Sequence, residues 1–148
     1  MISPIEEGDF DELSSLVAVA VRESVANNEE DAKFLIEDIV LSLKTWQTSD
    51  SESFHAKYSV DGVVVGFVIV KEYWNLSHLF VLPCHQGHGI GRRLLEEAVN
   101  ACRDKSPRRK IQLNSSLNAA GFYAAMGFTQ KGHGIERPGG CIPYEYGF

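Results

Sequence analysis

Apolar residues recur with two different periods along the chain, and the first period is helical. Over the first 47 or so residues, apolar side chains come three and four positions apart, as in helices that bury one face. One helix is predicted from the position after Asp9 to about Ala26, and a second over residues 29–46. The polar segment 48–53 predicts a loop that separates these helices from the strands in the middle of the chain.

From Phe54 the period changes to that of β-strands. Residues 54–60 and 63–74 are rich in β-branched and aromatic side chains, which is typical of strands. The Asp61-Gly62 pair between them predicts a tight hairpin turn. A third strand is predicted over residues 76–82, ending before Pro83. The middle of the chain therefore predicts antiparallel pairing.

The second half of the chain predicts helices that alternate with strands. One helix face carries Ile90, Leu94, Leu95, Ala98, Val99 and Cys102. Residues 110–114 predict a strand, residues 118–126 an alanine-rich helix capped by Gly127, and residues 141–148 a further strand. With a short edge strand at residues 2–5, the order predicts an α/β (α+β) fold. Its mixed, mostly antiparallel sheet has about six to seven strands and about four flanking helices, and it is not doubly wound.

Composition narrows the class of protein. The 148 residues predict a single domain over residues 1–148. The net charge of −6 argues against a nucleic-acid surface and is compatible with an amine substrate. No membrane span and no signal peptide are expected. Cys84, Cys102 and Cys141 lack a CxxC spacing, which favours reduced thiols in the cytoplasm. A strand at the C-terminus offers an edge at which a second copy can pair to form a homodimer.

The junction between the third strand and the next helix carries the strongest candidate chemistry. Gly87, Gly89 and Gly91 alternate there, and Arg92 and Arg93 follow in the first helical turn, where the helix dipole disfavours cations. A helix N-terminus leaves N–H groups unpartnered, and glycines let a phosphate approach them. The pattern predicts an anion site, which accounts for the arginines. The alternative is a plain turn whose arginines pair with acidic residues one turn later.

Two segments resemble motifs of one family. Val81-x-Pro83 followed by Gln-Gly-His-Gly-Ile-Gly at residues 86–91 is similar to the acetyl-CoA motif Q/R-x-x-G-x-G/A of the GNAT superfamily of N-acetyltransferases. Residues 113–128, LNSSLNAAGFYAAMGF, resemble its second motif, an alanine helix that carries Phe-Tyr and closes with Gly-Phe. Order and spacing agree with the family over residues 63–128.

The resemblance implies an acyltransferase that moves acetyl from acetyl-CoA, as co-substrate, to a primary amine of a small molecule or protein. The amine attacks directly in a ternary complex, and no metal takes part. A backbone N–H near Val81 polarises the thioester carbonyl. The implied coenzyme contacts are Leu79, Phe80, Val81, Gln86, Gly87, His88, Gly89, Ile90, Gly91, Arg92, Asn118 and Tyr123.

The resemblance also implies that Tyr123 protonates the departing thiolate, a reaction that a phenol can perform. The alternative is a core aromatic beside Phe122. Asn118 is either a weak coenzyme contact or the N-cap of its own helix.

The general base is less well defined, because the third strand carries no carboxylate. His78 is the nearest titratable group, and its usual pKa of about 6.5 suits a base. A structural histidine and a reaction without a dedicated base are the alternatives. Other candidates lie just before the strand: Glu72, Tyr73 and Asn75.

Further readings of these residues carry less weight. An acetyl-CoA-binding regulatory or sensor module is the alternative function, which the absent acidic base favours and Tyr123 disfavours. Cys84 as an acyl-carrying nucleophile would need a base and an electropositive pocket. The acceptor is unspecified, and the glycine-rich segment 131–140 either borders the acceptor site or is a mobile loop. No metal site is expected at His78, His85, His88 and Cys84, because their spacing is not that of a known set of ligands and no carboxylate joins them.

Overall fold

One seven-stranded sheet forms the centre of the molecule, in a computed structural model that describes residues 1–148. Its strands are β1 (Ile2–Ser3), β2 (Ser53–Val60), β3 (Val63–Lys71), β4 (Asn75–Val81), β5 (Lys110–Ser115), β6 (Thr129–Gln130) and β7 (Ile142–Gly147). The spatial order is β1-β2-β3-β4-β5-β7-β6. All neighbours are antiparallel except β4 and β5, which confirms the predicted mixed, mostly antiparallel sheet.

Four α-helices flank the sheet: α1 (Phe10–Ala20), α2 (Glu29–Gln47), α3 (Ile90–Cys102) and α4 (Ala120–Ala125). The first predicted helix has nearly the expected length, but its last turn, Val21–Val25, is a wider π-helix. None of the helices is long and apolar enough to cross a membrane.

Two apolar layers cover the two faces of the sheet. β3 lies between them and is buried from Val64 to Val70, as its nearly continuous apolar run requires. One layer packs α1 and α2 on the sheet, with Leu13, Val17, Leu43, Phe67 and Ile69. The other packs α3 and α4 on the opposite face, with Val68, Leu94, Leu95, Ala98 and Tyr123. The sheet is therefore packed on both of its faces.

The two central hairpins are tight. Asp61 and Gly62 have φ of 51° and 79°, the geometry of the predicted hairpin turn. Glu72 and Tyr73, with φ of 53° and 63°, form a similar turn between β3 and β4 without a glycine. Such backbone is strained in residues other than glycine. β4 begins soon after this turn and pairs with β5 at its first residue, Asn75.

β7 differs from the predicted C-terminal edge strand. It pairs with β5 from Ile142 to Gly147, and β6 covers part of its other side. The outermost strands are β1 and β6, each of two residues. The C-terminal strand therefore does not present the free edge that the sequence predicts for pairing with a second copy.

Candidate active site

β4 and β5 separate soon after they meet. The two strands pair only at Asn75 and Gln112, and beyond this point they diverge. The gap opens into a cavity of about 300 Å³, which we call the cleft. The cleft is bordered by β4, β5, α2, α4 and the β6–β7 loop, and its lining includes Asp38, Leu79, Val81, Gln86, Asn114, Tyr123 and Arg137.

The side of β4 that faces the cleft carries backbone groups that β5 does not pair. Leu82 donates its N–H to the Val65 carbonyl at 2.8 Å, so β3 holds this end of β4. Because backbone groups alternate in direction along a strand, Leu79 and Val81 direct theirs away from β3 and toward the gap. Phe80 pairs with Phe67 of β3 and so offers the cleft only its side chain. Of the three predicted backbone contacts on β4, the geometry fits two.

The glycine loop ends in a helix without a side-chain cap. Gly89 is the N-cap of α3, with φ of 79°, and no side chain accepts from the first turn. The Arg93 N–H donates to Gly89 O at 3.0 Å, whereas the N–H groups of residues 87–92 have no partner in the chain. Unpartnered donors at the positive end of a helix dipole bind anions.

The side chains of this loop hold the loop itself. The Gln86 amide donates to Val81 O at 3.1 Å, while its backbone N–H donates to Pro83 O at 3.2 Å. His88 Nδ1 lies within 3.2 Å of two loop carbonyls. The Ile90 side chain is buried, so only the backbone N–H of this residue is available to an anion. Arg92 pairs with Glu96 at 3.0 Å, as the plain-turn alternative expected, yet its side chain is 70% exposed and free to turn toward an anion.

Tyr123 is buried at the wall of the cleft. Its ring packs on three other aromatic rings, Phe122, Phe128 and Tyr144. Burial alone raises the pKa of Tyr123 above its usual value, with no hydrogen bond contributing. The phenol therefore keeps its proton at neutral pH and can donate it into the cleft.

Comparison with known proteins decides the family. A sequence model described as "Acetyltransferase (GNAT) domain" matches residues 20–144. The chain belongs to the GNAT acetyltransferase family. It is therefore an acyltransferase, as the two motifs imply.

Individual relatives agree with this assignment. An uncharacterised N-acetyltransferase from Archaeoglobus fulgidus is 30% identical over 134 residues, which cover 82% of this chain and 89% of the relative. A GCN5-related N-acetyltransferase from Rhodopseudomonas palustris has the same fold, with a TM-score of 0.86, 16% identity and coverage of 100% and 95%. The PaiA N-acetyltransferase from Thermoplasma acidophilum was solved with coenzyme A. It superposes with a TM-score of 0.75 at 19% identity, over 100% and 98% of the two chains.

His78 does not have the surroundings of a general base in this acetyltransferase. It is 2% exposed and does not line the cleft. Its Nδ1 lies 2.7 Å from Ser77 Oγ and its Nε2 lies 3.4 Å from Ile39 O, so both ring nitrogens have partners. Burial, together with the charge of Lys71, lowers the pKa of His78 to about 4. The contact with Ile39 O acts in the opposite direction and only partly offsets this shift. The residue is a buried packing group, which is the structural alternative.

Asn118 also differs from its predicted role as an N-cap. The residue lies inside a 3-10 turn, Leu117–Ala119, and α4 begins after Ala119 without a side-chain cap. Its amide donates to Ser24 O in the π-helical turn, and its oxygen accepts from Ser116 Oγ at 2.6 Å. Asn118 lines the cleft, but its amide is hydrogen-bonded to the end of α1 and its oxygen to Ser116.

The remaining candidates lie outside the cleft. Tyr73 lines a separate cavity of about 490 Å³ between α2 and β2, larger than the cleft but without any predicted coenzyme contact. Cys84 is exposed, and its Sγ lies 3.2 Å from His85 Nδ1. No group of three or more metal-ligating side chains is arranged around a common point.

The sequence did not single out Arg137. It lies in the glycine-rich segment 131–140, and the structure places it on the cleft wall opposite Asp38 of α2. The signal that could have located it is Arg-Pro-Gly-Gly at residues 137–140, a composition typical of a tight turn.

Proposed function

We propose that this chain is an acetyl-CoA-dependent N-acetyltransferase acting as a single domain over residues 1–148. It transfers acetyl directly to a primary amine of a small molecule or protein. One observation carries the proposal: the unpartnered N–H groups of residues 87–92 lie next to the unpaired side of β4. An anion site and an open strand side, adjacent to one another, match a ligand with a pyrophosphate and an amide-bearing arm.

The residues of the chain fit that ligand in two parts. The N–H groups of residues 87–92, with Arg92 beside them, would hold the pyrophosphate. The backbone groups of Leu79 would pair with the pantetheine amides, as an added strand pairs with a sheet edge. Acetyl-CoA supplies the activated acetyl group. The Val81 N–H is the donor best placed to stabilise negative charge on the thioester oxygen.

Tyr123 supplies the proton that the reaction consumes. As the acceptor nitrogen bonds to the acetyl carbon, the carbon–sulfur bond breaks and the sulfur takes the Tyr123 proton. The acceptor ammonium loses two protons overall, and one of them restores the tyrosine. The overall reaction therefore releases one proton. No histidine lines the cleft, and the side chain of its one carboxylate, Asp38, is 59% exposed, which supports proton removal by solvent rather than by a dedicated base.

The compartment is inferred from the thiols. Cys84, Cys102 and Cys141 are all free, and two of them are buried. Free thiols persist in a reducing environment, which supports the cytoplasm as the site of action.

Titration calorimetry of the purified protein with acetyl-CoA tests the proposal, with NADH and ATP as controls. We expect micromolar binding of acetyl-CoA and of CoA, and at least tenfold weaker binding of both controls. Release of free thiol is then measured with a panel of amines. Binding without turnover would favour the sensor module, and no binding of acetyl-CoA would overturn the coenzyme site.

A further inference from the structure

Two charged side chains line the cleft, one from each of two facing walls. Asp38 comes from α2 and Arg137 from the β6–β7 loop, and the other polar lining residues are uncharged. Arg137 Nη2 lies 3.9 Å from Asp38 Oδ2, with side-chain exposures of 44% and 59%. Such a long, exposed pair adds little to stability. The stability of the fold therefore does not explain why these two charges meet here.

The backbone at Arg137 is fixed by a turn. Residues 137–140 form a type II turn, in which the Gly140 N–H donates to Arg137 O at 2.9 Å and Gly139 has φ of 74°. A Cβ on Gly139 would meet Val25 at 2.8 Å, so glycine lets the turn press against the π-helical segment. Gly139 O also accepts from the Leu117 N–H at 2.9 Å. Arg137 thus projects from an anchored turn.

We infer that the acetyl acceptor is a small zwitterion of the amino-acid class, an amine that also carries a carboxylate. This inference rests on the proposed function of the same cleft. Arg137 would bind the carboxylate, because a guanidinium presents paired donors that match a carboxylate. Asp38 would attract the ammonium. The acceptor replaces the long Asp38–Arg137 contact with two closer ion pairs.

Charge separates this class from other amines. The charged groups of a polyamine or an aminoglycoside are all positive, and one of them would face Arg137, an arrangement that selects against such ligands.

Matched acceptors test the carboxylate requirement. Thiol release from acetyl-CoA is measured with each proteinogenic amino acid and with its carboxamide, which keeps the amine and removes the negative charge. We expect kcat/KM of the preferred amino acid to exceed that of its amide at least tenfold. In Arg137→Gln the acid and its amide should react about equally, apart from any difference in the reactivity of their amines. The control is Arg108→Gln, since Arg108 stacks on the Trp74 ring and does not line the cleft; this variant should keep the wild-type ratio.

A binding measurement gives a second readout that needs no turnover. The N-acetyl form of the preferred amino acid has a carboxylate but no ammonium. Its calorimetric affinity for the CoA-loaded protein should fall at least tenfold in Arg137→Gln and less than twofold in Asp38→Asn. The proposal is overturned if acids and amides react equally, or if their discrimination survives in Arg137→Gln.

The outcomes also separate this inference from the proposed function. If the protein binds acetyl-CoA but neither binds nor acetylates any amino acid, only the inference of a zwitterionic acceptor is overturned. A wild-type protein that does not bind acetyl-CoA would overturn both.

Discussion

Tyr123 and Phe128 are joined by backbone and by side chain across the end of α4. The Phe128 N–H donates to Tyr123 O at 3.0 Å, and the Gly127 N–H donates to Ala124 O at 3.1 Å, which together form a Schellman cap. The two rings lie 5.7 Å apart in an edge-on arrangement. The end of this short helix therefore fixes the proposed proton donor.

Replacing Gly127 by alanine should disturb that cap. Gly127 has φ of 93°, and a Cβ there would lie 3.3 Å from the Tyr146 ring. We expect Gly127→Ala to lower the free energy of unfolding by about 1–2 kcal/mol in urea denaturation. The matched control is Gly121→Ala in the same helix, where a Cβ meets nothing within 4 Å and stability should hold or rise. Equal losses in both variants would contradict the assigned role of the cap.

Removing the Tyr123 hydroxyl should slow acetyl transfer without weakening coenzyme binding. We expect Tyr123→Phe to lower kcat by about 10²-fold, because a positioned proton donor typically contributes that much. The dissociation constant for acetyl-CoA should change less than twofold. Tyr144→Phe is the control, since this buried ring touches Tyr123 but does not line the cleft. Wild-type turnover in Tyr123→Phe would remove the tyrosine from the mechanism.

The two ends of α3 offer a test of the anion site. Arg92 lies at the start of the helix and Arg103 directly after its end, stacked 5.4 Å from the Phe148 ring centre. Arg92→Gln should weaken acetyl-CoA binding at least about tenfold, because a hydrogen bond to a charged group contributes about 1.5–3 kcal/mol. Its stability should change by less than about 0.5 kcal/mol, because the ion pair with Glu96 is exposed. Arg103→Gln should leave the affinity unchanged, and a similar loss in both would argue for a general charge effect.

Stability should fall as the pH is lowered, because His78 is buried in its neutral form. Its pKa is about 4 in the folded protein and 6.5 in the unfolded chain, so the unfolded chain binds a proton first as pH falls. The contribution is fully present above pH 6.5 and is lost between pH 6.5 and 4, by about 3 kcal/mol.

Urea denaturation at several pH values measures this slope. His78→Gln should remove most of it, whereas His133→Gln, at an exposed loop position, should retain it. His55, whose pKa burial also lowers, accounts for part of what remains. An unchanged slope in His78→Gln would show that other groups cause the pH dependence.

Local patterns in the sequence predicted much of the fold. The Asp61-Gly62 hairpin and the glycine cap at residue 127 depend on backbone conformations that few residues adopt, so the sequence reports them directly. The family, too, was predicted from two motifs in register.

Features set by distant contacts were missed. The Asn118 amide donates to Ser24 O in the π-helical end of α1, a contact between residues 94 positions apart that local patterns do not report. His78 looked like a base because a single sequence does not show that α2 covers it. The position of Arg137 depends on a turn that is anchored on Val25 and Leu117. Both residues are distant along the chain, Val25 by more than 100 positions.

The single point of contact between β4 and β5 has a consequence for how such a protein can diverge. On β4, the proposed coenzyme surface consists of backbone N–H and C=O groups that β5 leaves unpaired. Every amino acid except proline supplies both an N–H and a C=O. Side chains along this surface can therefore be exchanged while its hydrogen-bonding capacity persists. Selection on ligand binding then acts on the conformation of β4 and its loop, and leaves the acceptor end of the cleft free to change its specificity.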